Sequence, residues 1–194
     1  MSVMGPSVNI ANLVTLLRLL LAPVVIWLLL EGQSGAAFAL FLFAGITDAI
    51  DGMIAKRFGQ VTELGAYLDP VADKVLLVSI FVTLGVLQEL PAWLVLLAVS
   101  RDALIVGGVL LSYTLGTPLV MHPLLISKAN TVAQIGLVAA VLAQMAFAEQ
   151  SDTMVEQAIN YAVWFTAATT AASGGAYIFT WVRTMNANAG TLDA

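Results

Sequence analysis

Four aspartates lie in two closely spaced pairs within an otherwise apolar part of the chain. Asp48 and Asp51 are three residues apart, and Asp69 and Asp73 are four residues apart. On a helix, both spacings place the two side chains of a pair on one face. We therefore expect each pair to converge on one point. We also expect the two pairs to face one cavity, close to where their two segments are joined.

Four carboxylates around one cavity would repel each other unless cations bind between them. Carboxylate oxygens suit Mg²⁺, Mn²⁺ or Ca²⁺, and a two-metal site holds its ions about 3.5 to 4 Å apart to clamp a phosphoryl group. Gly52, Ala55 and Gly65 leave backbone room for a bulky ligand. Lys56 and Arg57 add positive charge that can meet phosphate. The pattern predicts a metal-dependent site for phosphoryl chemistry.

A structural interpretation of the same aspartates is a set of buried ion pairs. Arg18, Lys74 and Arg101 interrupt apolar segments and are the candidate partners. An ionised side chain at the centre of a bilayer costs about 2.5 to 3.5 kcal/mol or more unless it is paired or hydrated. Four acids in this spacing favour the metal site over simple pairing.

The composition predicts an integral membrane protein built entirely from helices. Of 194 residues, 60% are hydrophobic and 10% are charged, and the mean hydropathy is +0.97. About 20 residues are needed for each crossing, so the chain has room for six spans. We expect one transmembrane catalytic domain over residues 1–194, a six-helix bundle with spans at about 11–30, 35–57, 68–89, 92–114, 126–148 and 154–182. Asp69 is expected to be the N-cap of the third span, with Pro70 in its first turn.

Charged residues between the spans predict the orientation. With the N-terminus inside, the first, third and fifth connections carry acidic residues and no Lys or Arg. The basic residues on the inner side are Lys56, Arg57, Lys128 and Arg183. This asymmetry follows the positive-inside rule, so the aspartates should lie near the cytoplasmic face.

The aspartate segment resembles the signature of the CDP-alcohol phosphatidyltransferases. The matching residues read Asp48-x2-Asp51-Gly52-x2-Ala55-Lys56-x8-Gly65-x3-Asp69-x3-Asp73. The family has Arg where this chain has Lys56, so the positive charge is retained but a bidentate contact is not. Stretches 12–18 and 68–74 resemble the branch of that family that contains phosphatidylglycerophosphate synthases and cardiolipin synthases. Stretches 100–102, 126–131 and 165–173 resemble cardiolipin synthases of the mitochondrial type, which also occur in bacteria.

This resemblance implies the site roles, the cofactors and the assembly. Asp48, Asp51, Asp69 and Asp73 would hold Mg²⁺ or Mn²⁺, two ions per site, and Asp73 would also be the general base. Gly52, Ala55, Lys56 and Gly65 would line the CDP pocket. The resemblance further implies the CDP-alcohol phosphatidyltransferase fold, a homodimer, and a bacterial or mitochondrial inner membrane with the active site at the cytoplasmic or matrix face.

The alcohol that accepts the phosphatidyl group is less constrained than the donor, CDP-diacylglycerol. Phosphatidylglycerol, giving cardiolipin and CMP, is our leading hypothesis, and glycerol 3-phosphate is the alternative. A phosphate monoester is nearly dianionic and favours a denser basic pocket, whereas a phosphodiester is monoanionic. Only Arg101, Lys128 and Arg183 are basic in the second half of the chain. This scarcity favours the lipid acceptor.

Arg101 and Lys128 are the candidate contacts to the phosphate of the acceptor. The competing interpretations are an ion pair with Asp102 for Arg101, and an interfacial position for Lys128. Asn130 and Thr131 are expected to form hydrogen bonds between packed helices. An alternative of another class is a cation-coupled transporter, because intramembrane acids also form ion relays. Against it, the acids cluster near one face of the bundle.

Overall fold

The computed structural model describes residues 10–58, 63–114, 125–147 and 153–189, with side chains over 16–47, 74–108, 125–147 and 153–183. These residues form six α-helices and no strand, which confirms the all-helical class. The helices are α1 (Ile10–Leu30), α2 (Ser34–Phe58), α3 (Glu63–Val86), α4 (Ala92–Thr114), α5 (Leu125–Phe147) and α6 (Thr153–Ala189).

The start of α3 differs from the sequence prediction. The helix begins at Glu63, five residues before the predicted start at 68, so Asp69 and Pro70 lie inside it. The prediction of Asp69 as an N-cap is therefore wrong. Leu64 and Ala66 are good helix formers and extend the helix ahead of the proline. A proline inside a helix removes one backbone hydrogen bond.

The last helix is also longer than predicted. It runs for 37 residues to Ala189, seven residues beyond the predicted end at 182. At 1.5 Å per residue it is about 55 Å long, well above the roughly 30 Å hydrocarbon core of a bilayer. The other four helices begin and end within about two residues of their predicted bounds.

Length and hydropathy single out α5 as a candidate membrane span. Among the residues whose side chains are described, Leu125–Phe147 is the one helix that is both long and apolar enough to cross a membrane. Three shorter apolar stretches are Leu16–Leu30, Ser34–Thr47 and Lys74–Val86. The arrangement of six spans stays a prediction.

The chain divides into two compact units. The first comprises Met1–Glu89 with Val138–Ser151, and the second comprises Leu90–Leu137 with Asp152–Ala194. In the first unit, α1 packs against both α2 and α3. Buried residues recur every three to four positions along α1 and form its inward face. Val25 and Leu29 on this face are fully buried, and Arg18 is 4% exposed. The helices that carry the aspartates are thus both held by α1.

In the second unit, α4 and α6 lie side by side and run parallel. The ring centroids of Trp93 and Trp164 are 5.2 Å apart. Two turns further along both helices, Arg101 bonds to Ser173. These contacts advance in the same direction along both helices. The two helices are therefore parallel over this stretch. Leu94 and Ala98 precede Arg101 on the buried face of α4.

Large apolar side chains are exposed on every one of the six helices. On α4 and α6, Leu96 is 67% exposed and Phe179 is 70% exposed, and α1 exposes Trp27. Exposure of large apolar side chains on every helix is unusual for a soluble monomer, so it indicates contact with lipid or protein.

Two helices in the first unit end in the same backbone turn. After α1, Gly32 has φ +73°, its N–H donates to the Leu29 carbonyl, and Gln33 N–H donates to the Leu28 carbonyl. After α3, Gln88 has φ +63°, and Gln88 and Glu89 repeat these bonds. This Schellman arrangement needs a left-handed residue, which glycine adopts without strain and glutamine does not.

We predict that Gly32→Ala destabilises the protein and that Gln88→Gly stabilises it. A side chain in the left-handed conformation costs about 1 kcal/mol, and a Cβ at Gly32 would meet no other atom within 4 Å, so the effect is conformational. Thermal unfolding in detergent measures both changes. Gly35→Ala, inside α2 and equally open, is the matched control and should be stabilising. Shifts of the same sign for the two Gly→Ala variants would contradict this account.

Candidate active site

The four aspartates lie on helical backbone. Residues 48 and 51 are in α2, and residues 69 and 73 are in α3. Both helices are continuous through these positions, so each pair lies on one face of its helix, as expected from the spacing. The side chains of these aspartates, and residues Gly52, Ala55, Lys56 and Gly65 of the predicted CDP pocket, lie outside the residues whose side chains are described. Their roles stay predictions.

The helix bounds place the two pairs at matching distances from the connection between α2 and α3. Asp48 lies ten residues before the end of α2, and Asp73 lies ten residues after the start of α3. At 1.5 Å per residue, each is about 15 Å from its helix end, and Asp51 and Asp69 are about 10 Å from theirs. Four residues separate the two helices in sequence. This symmetry supports a shared site for the two pairs.

No metal-binding cluster of three or more His, Cys, Asp or Glu residues is found where side chains are described. The four predicted metal ligands all lie outside that set. The donor set itself fits a hard divalent cation, because it consists of carboxylates alone, on two helices that both pack against α1.

Arg101 forms hydrogen bonds to three other side chains of the second unit. It is 3% exposed, and its guanidinium meets groups from three helices. Nε and Nη2 donate to Ser173 Oγ at 3.2 and 2.6 Å, and Nη2 also donates to Ser127 Oγ at 2.6 Å. Nη1 donates to Asp102 Oδ1 at 2.6 Å. The side chain therefore joins α4 to both α5 and α6.

The stem and one face of the Arg101 guanidinium are also in contact with α6. The guanidinium carbon lies 5.7 Å from the centroid of the Tyr177 ring, within the range of a cation–π contact. The stem passes Gly174, where a Cβ would lie 3.5 Å from Arg101 Cγ. The predicted ion pair with Asp102 is present, and it is one part of a larger set of contacts.

Lys128, the second predicted acceptor contact, lies in the first turn of α5 and is exposed. It directly follows Ser127, one of the partners of Arg101. The described residues thus bring Arg101 close to the start of α5 in the second unit. Whether either side chain contacts substrate stays a prediction.

Asn130 packs α5 against α6 as predicted. It is fully buried, and its Oδ1 accepts hydrogen bonds from the hydroxyls of Thr170 at 2.7 Å and Thr169 at 3.1 Å. Thr166 donates to the Ala133 carbonyl at 3.4 Å. Thr131 instead donates to the Ser127 carbonyl of its own helix. In apolar surroundings, such bonds help set how two helices pack.

An apolar cavity of about 800 Å³ lies between α4 and α6, within the second unit. Gly107 and Gly108 contribute no side chain to it, and Tyr177 lines it near Arg101. The other lining residues are Ser100, Ala103, Leu104, Ile105, Ile178 and Trp181.

Sequence reasoning missed the three residues that contact Arg101 from other helices. Ser127, Ser173 and Tyr177 are respectively 26, 72 and 76 residues away in sequence. The available signal was a stripe on α6, where Thr166, Thr170 and Ser173 recur on one helical face. A polar stripe in an apolar helix implies a polar partner, and it could have indicated that α6 faces the arginine.

Residues 8–173 match the CDP-alcohol phosphatidyltransferase family, which is most of the chain. The chain is a member of this family. The membership confirms the resemblance seen in the sequence, and the matched residues include the aspartate segment, Arg101, Ser127 and Ser173. It also favours a transferase over the transporter alternative.

The curated relatives of this chain fall into two groups by name. Cardiolipin synthase (CMP-forming) of Homo sapiens is 37% identical over 186 residues, covering 87% of this chain and 60% of that protein. A probable phosphatidylglycerophosphate synthase of Mycobacterium tuberculosis (strain ATCC 25618 / H37Rv) is 43% identical over 100 residues, covering 48% of each. The chloroplastic CDP-diacylglycerol–glycerol-3-phosphate 3-phosphatidyltransferase 1 of Oryza sativa subsp. japonica is 34% identical over 188 residues, covering 87% and 56%. The chain thus spans about 60% of the length of the human relative.

We predict that Arg101→Met lowers the free energy of unfolding by about 2 to 4 kcal/mol, because it removes the ion pair with Asp102 and the hydrogen bonds to Ser127 and Ser173. Arg101→Lys should lose less, since it keeps the charge but not the planar set of donors. Denaturant unfolding in detergent measures the change. Arg183→Met, at an exposed position of α6, is the control and should change stability by less than about 0.5 kcal/mol. Equal losses for both methionine variants would show that the Arg101 contacts add little.

Proposed function

We propose that this chain is a cardiolipin synthase that transfers a phosphatidyl group from CDP-diacylglycerol to phosphatidylglycerol and releases CMP. The observation that carries the proposal is the 37% identity to a CMP-forming cardiolipin synthase over 87% of this chain. A rat cardiolipin synthase matches to the same extent, and a probable Drosophila melanogaster one is 34% identical. The sparse basic residues around Arg101 also suit a monoanionic acceptor.

In this proposal, Asp48, Asp51, Asp69 and Asp73 hold two divalent cations, Mg²⁺ or Mn²⁺. Their matched positions on α2 and α3 support a common site. When bound, such ions neutralise pyrophosphate oxygens and stabilise the leaving CMP. Gly52, Ala55, Lys56 and Gly65 follow or precede the aspartates by a few residues and form the pocket for the CDP moiety.

The transfer itself is a displacement at the β-phosphorus of CDP-diacylglycerol. The terminal hydroxyl oxygen of phosphatidylglycerol bonds to that phosphorus, and the bond from phosphorus to the bridging oxygen breaks. CMP departs with the bridging oxygen. Asp73 takes the hydroxyl proton, because a carboxylate beside the attacking oxygen is the general base that this reaction needs.

Arg101 and Lys128 bind the phosphodiester of the acceptor lipid in this scheme. Arg101 is held in a fixed orientation by Ser127, Ser173 and Asp102, and Lys128 is exposed at the start of α5. A fixed guanidinium loses little conformational freedom when it binds an anion.

We further propose that the six helices span a bacterial or mitochondrial inner membrane, with the active site at its cytoplasmic or matrix face and two chains forming a homodimer. Exposed apolar side chains on all six helices support lipid contact. The basic residues Lys56, Arg57, Lys128 and Arg183 support the orientation.

The decisive assay supplies purified protein with CDP-diacylglycerol, Mg²⁺ or Mn²⁺, and either phosphatidylglycerol or glycerol 3-phosphate. We expect cardiolipin and an equal amount of CMP with phosphatidylglycerol, identified by lipid mass and nucleotide chromatography. Product with glycerol 3-phosphate but none with phosphatidylglycerol would reject cardiolipin synthesis. In that case the enzyme is a phosphatidylglycerophosphate synthase, the alternative that the mycobacterial and rice relatives support.

We predict that Asp73→Asn lowers kcat at least about 100-fold while CDP-diacylglycerol binding largely survives, because a general base typically contributes 10²–10⁴-fold. Turnover and nucleotide-lipid binding are measured on the same preparation. Glu156→Gln, in the exposed first turn of α6, is the matched loss of an acid and should leave both unchanged. Near-normal turnover in Asp73→Asn would remove Asp73 as the base.

Chelation should abolish turnover, and added Mg²⁺ or Mn²⁺ should restore it. The physical reason is that carboxylates alone would repel the pyrophosphate of the donor lipid. Metal binding to the protein, measured by calorimetry, should fall for Asp48→Asn and stay unchanged for Glu156→Gln. Full activity after exhaustive chelation would contradict the metal assignment.

A further inference from the structure

We propose that Ser127 and Ser173 are positioning residues for acceptor recognition, holding the guanidinium of Arg101 so that one edge stays open to the acceptor phosphate. This inference rests on the proposed role of Arg101. It assigns a function to two hydroxyl groups, one from α5 and one from α6, that meet at the same nitrogen of Arg101.

The hydrogen bonds fix the plane of the guanidinium from two sides. Ser173 Oγ accepts from both Nε and Nη2, and Ser127 Oγ accepts from Nη2. A planar group that is bonded at two neighbouring nitrogens cannot rotate about its terminal bonds. Tyr177 covers one face of the plane, and Gly174 lets the stem lie close to α6. Rotation and tilt are thus both restricted.

One edge of the guanidinium remains for a ligand. Arginine has five N–H donors. Four of them donate to Ser173, Ser127 and Asp102, which leaves one N–H on Nη1 without an acceptor among the described residues. This N–H lies on the nitrogen that also bonds Asp102, and Asp102 is 13% exposed compared with 3% for Arg101. The open donor is therefore on the more accessible side.

Hydroxyl groups suit this role because they accept hydrogen bonds without cancelling charge. A second carboxylate at Nη2 would cancel the remaining positive charge of the site and weaken its attraction for a phosphate. With Asp102 as the only acid at the guanidinium in the described residues, and Lys128 beside Ser127, the site can still attract a monoanionic phosphodiester.

The test is kinetic and uses the acceptor that the wild-type enzyme turns over. Ser127→Ala should raise the KM for that acceptor about tenfold, because a hydrogen bond to a charged group is worth about one order of magnitude or more in binding. We expect kcat to change less than threefold and the KM for CDP-diacylglycerol to stay constant. Ser173→Ala should act in the same direction. Ser127→Thr, which keeps the hydroxyl, should restore the wild-type KM.

Controls separate positioning from folding and from the proposed function. Thr131→Ala on α5 and Thr180→Ala on α6 remove hydroxyls that donate to a carbonyl of their own helix, and should leave the acceptor KM unchanged. Thermal midpoints are measured for all variants. If Ser173→Ala fails to fold, Ser127→Ala still tests the inference, because Ser127 is only half-buried. Phosphatidylglycerol binding by native mass spectrometry, which needs no turnover, should weaken about tenfold in Ser127→Ala.

The inference is overturned if Ser127→Ala binds phosphatidylglycerol as the wild type does, or if its kinetic defect falls equally on both substrates. It is also overturned if Ser127→Thr behaves like Ser127→Ala. If the wild-type protein makes no cardiolipin, but its binding of phosphatidylglycerol weakens in Ser127→Ala, the proposed function is rejected and the positioning role stands.

Discussion

A guanidinium buried among apolar helices must find its hydrogen-bond partners within the protein, and this constraint shapes the second unit. Arg101 is 3% exposed, so most of its donors cannot reach water and each of these would cost free energy if it were left unpaired. The partners come from its own helix and from two others, α5 and α6. Three helices are thereby held at one point. The same need for partners explains why α6 carries hydroxyls and small residues where an apolar helix would otherwise carry leucine.

The hydroxyl stripe on α6 continues this logic along the helix. Thr166 and Thr170 face α5, where the side chain of Asn130 and the Ala133 carbonyl accept from them. Ser173 follows on the same face and meets Arg101. Small side chains allow these helices to approach closely, and close approach is what brings the hydroxyls within bonding distance. Packing and polar satisfaction therefore depend on each other in this unit.

Much of the fold could be predicted because helix periodicity and apolar length are local properties. Six helices follow from the lengths of the apolar runs, and the faces shared by Asp48 and Asp51, or by Asp69 and Asp73, follow from spacing alone. The ends of helices were harder to predict than their existence. A proline usually marks a helix start, but α3 runs through Pro70. The turn at Gln88 was hidden for a similar reason, since only glycine signals a left-handed residue in sequence.

The sequence alone could not identify which residues of α6 meet Arg101, because no local rule connects residues about 70 positions apart. The adjacent Asp102 was visible in the sequence, and the ion pair with it was anticipated. Ser173 became a partner only because α4 and α6 run parallel, a fact of tertiary packing shown by the tryptophans at 93 and 164. Once that arrangement is known, the register follows: residues about 72 positions apart lie at the same height. Serine and tyrosine at 173 and 177 then face residue 101 one helical turn apart, so a single arginine can bond the first and lie against the ring of the second. The acidic pairs of α2 and α3 need only a helix to be aligned, whereas the site of Arg101 needs three helices in one register. The shared faces of the acidic pairs could therefore be predicted from the sequence, whereas most of the contacts of Arg101 could not.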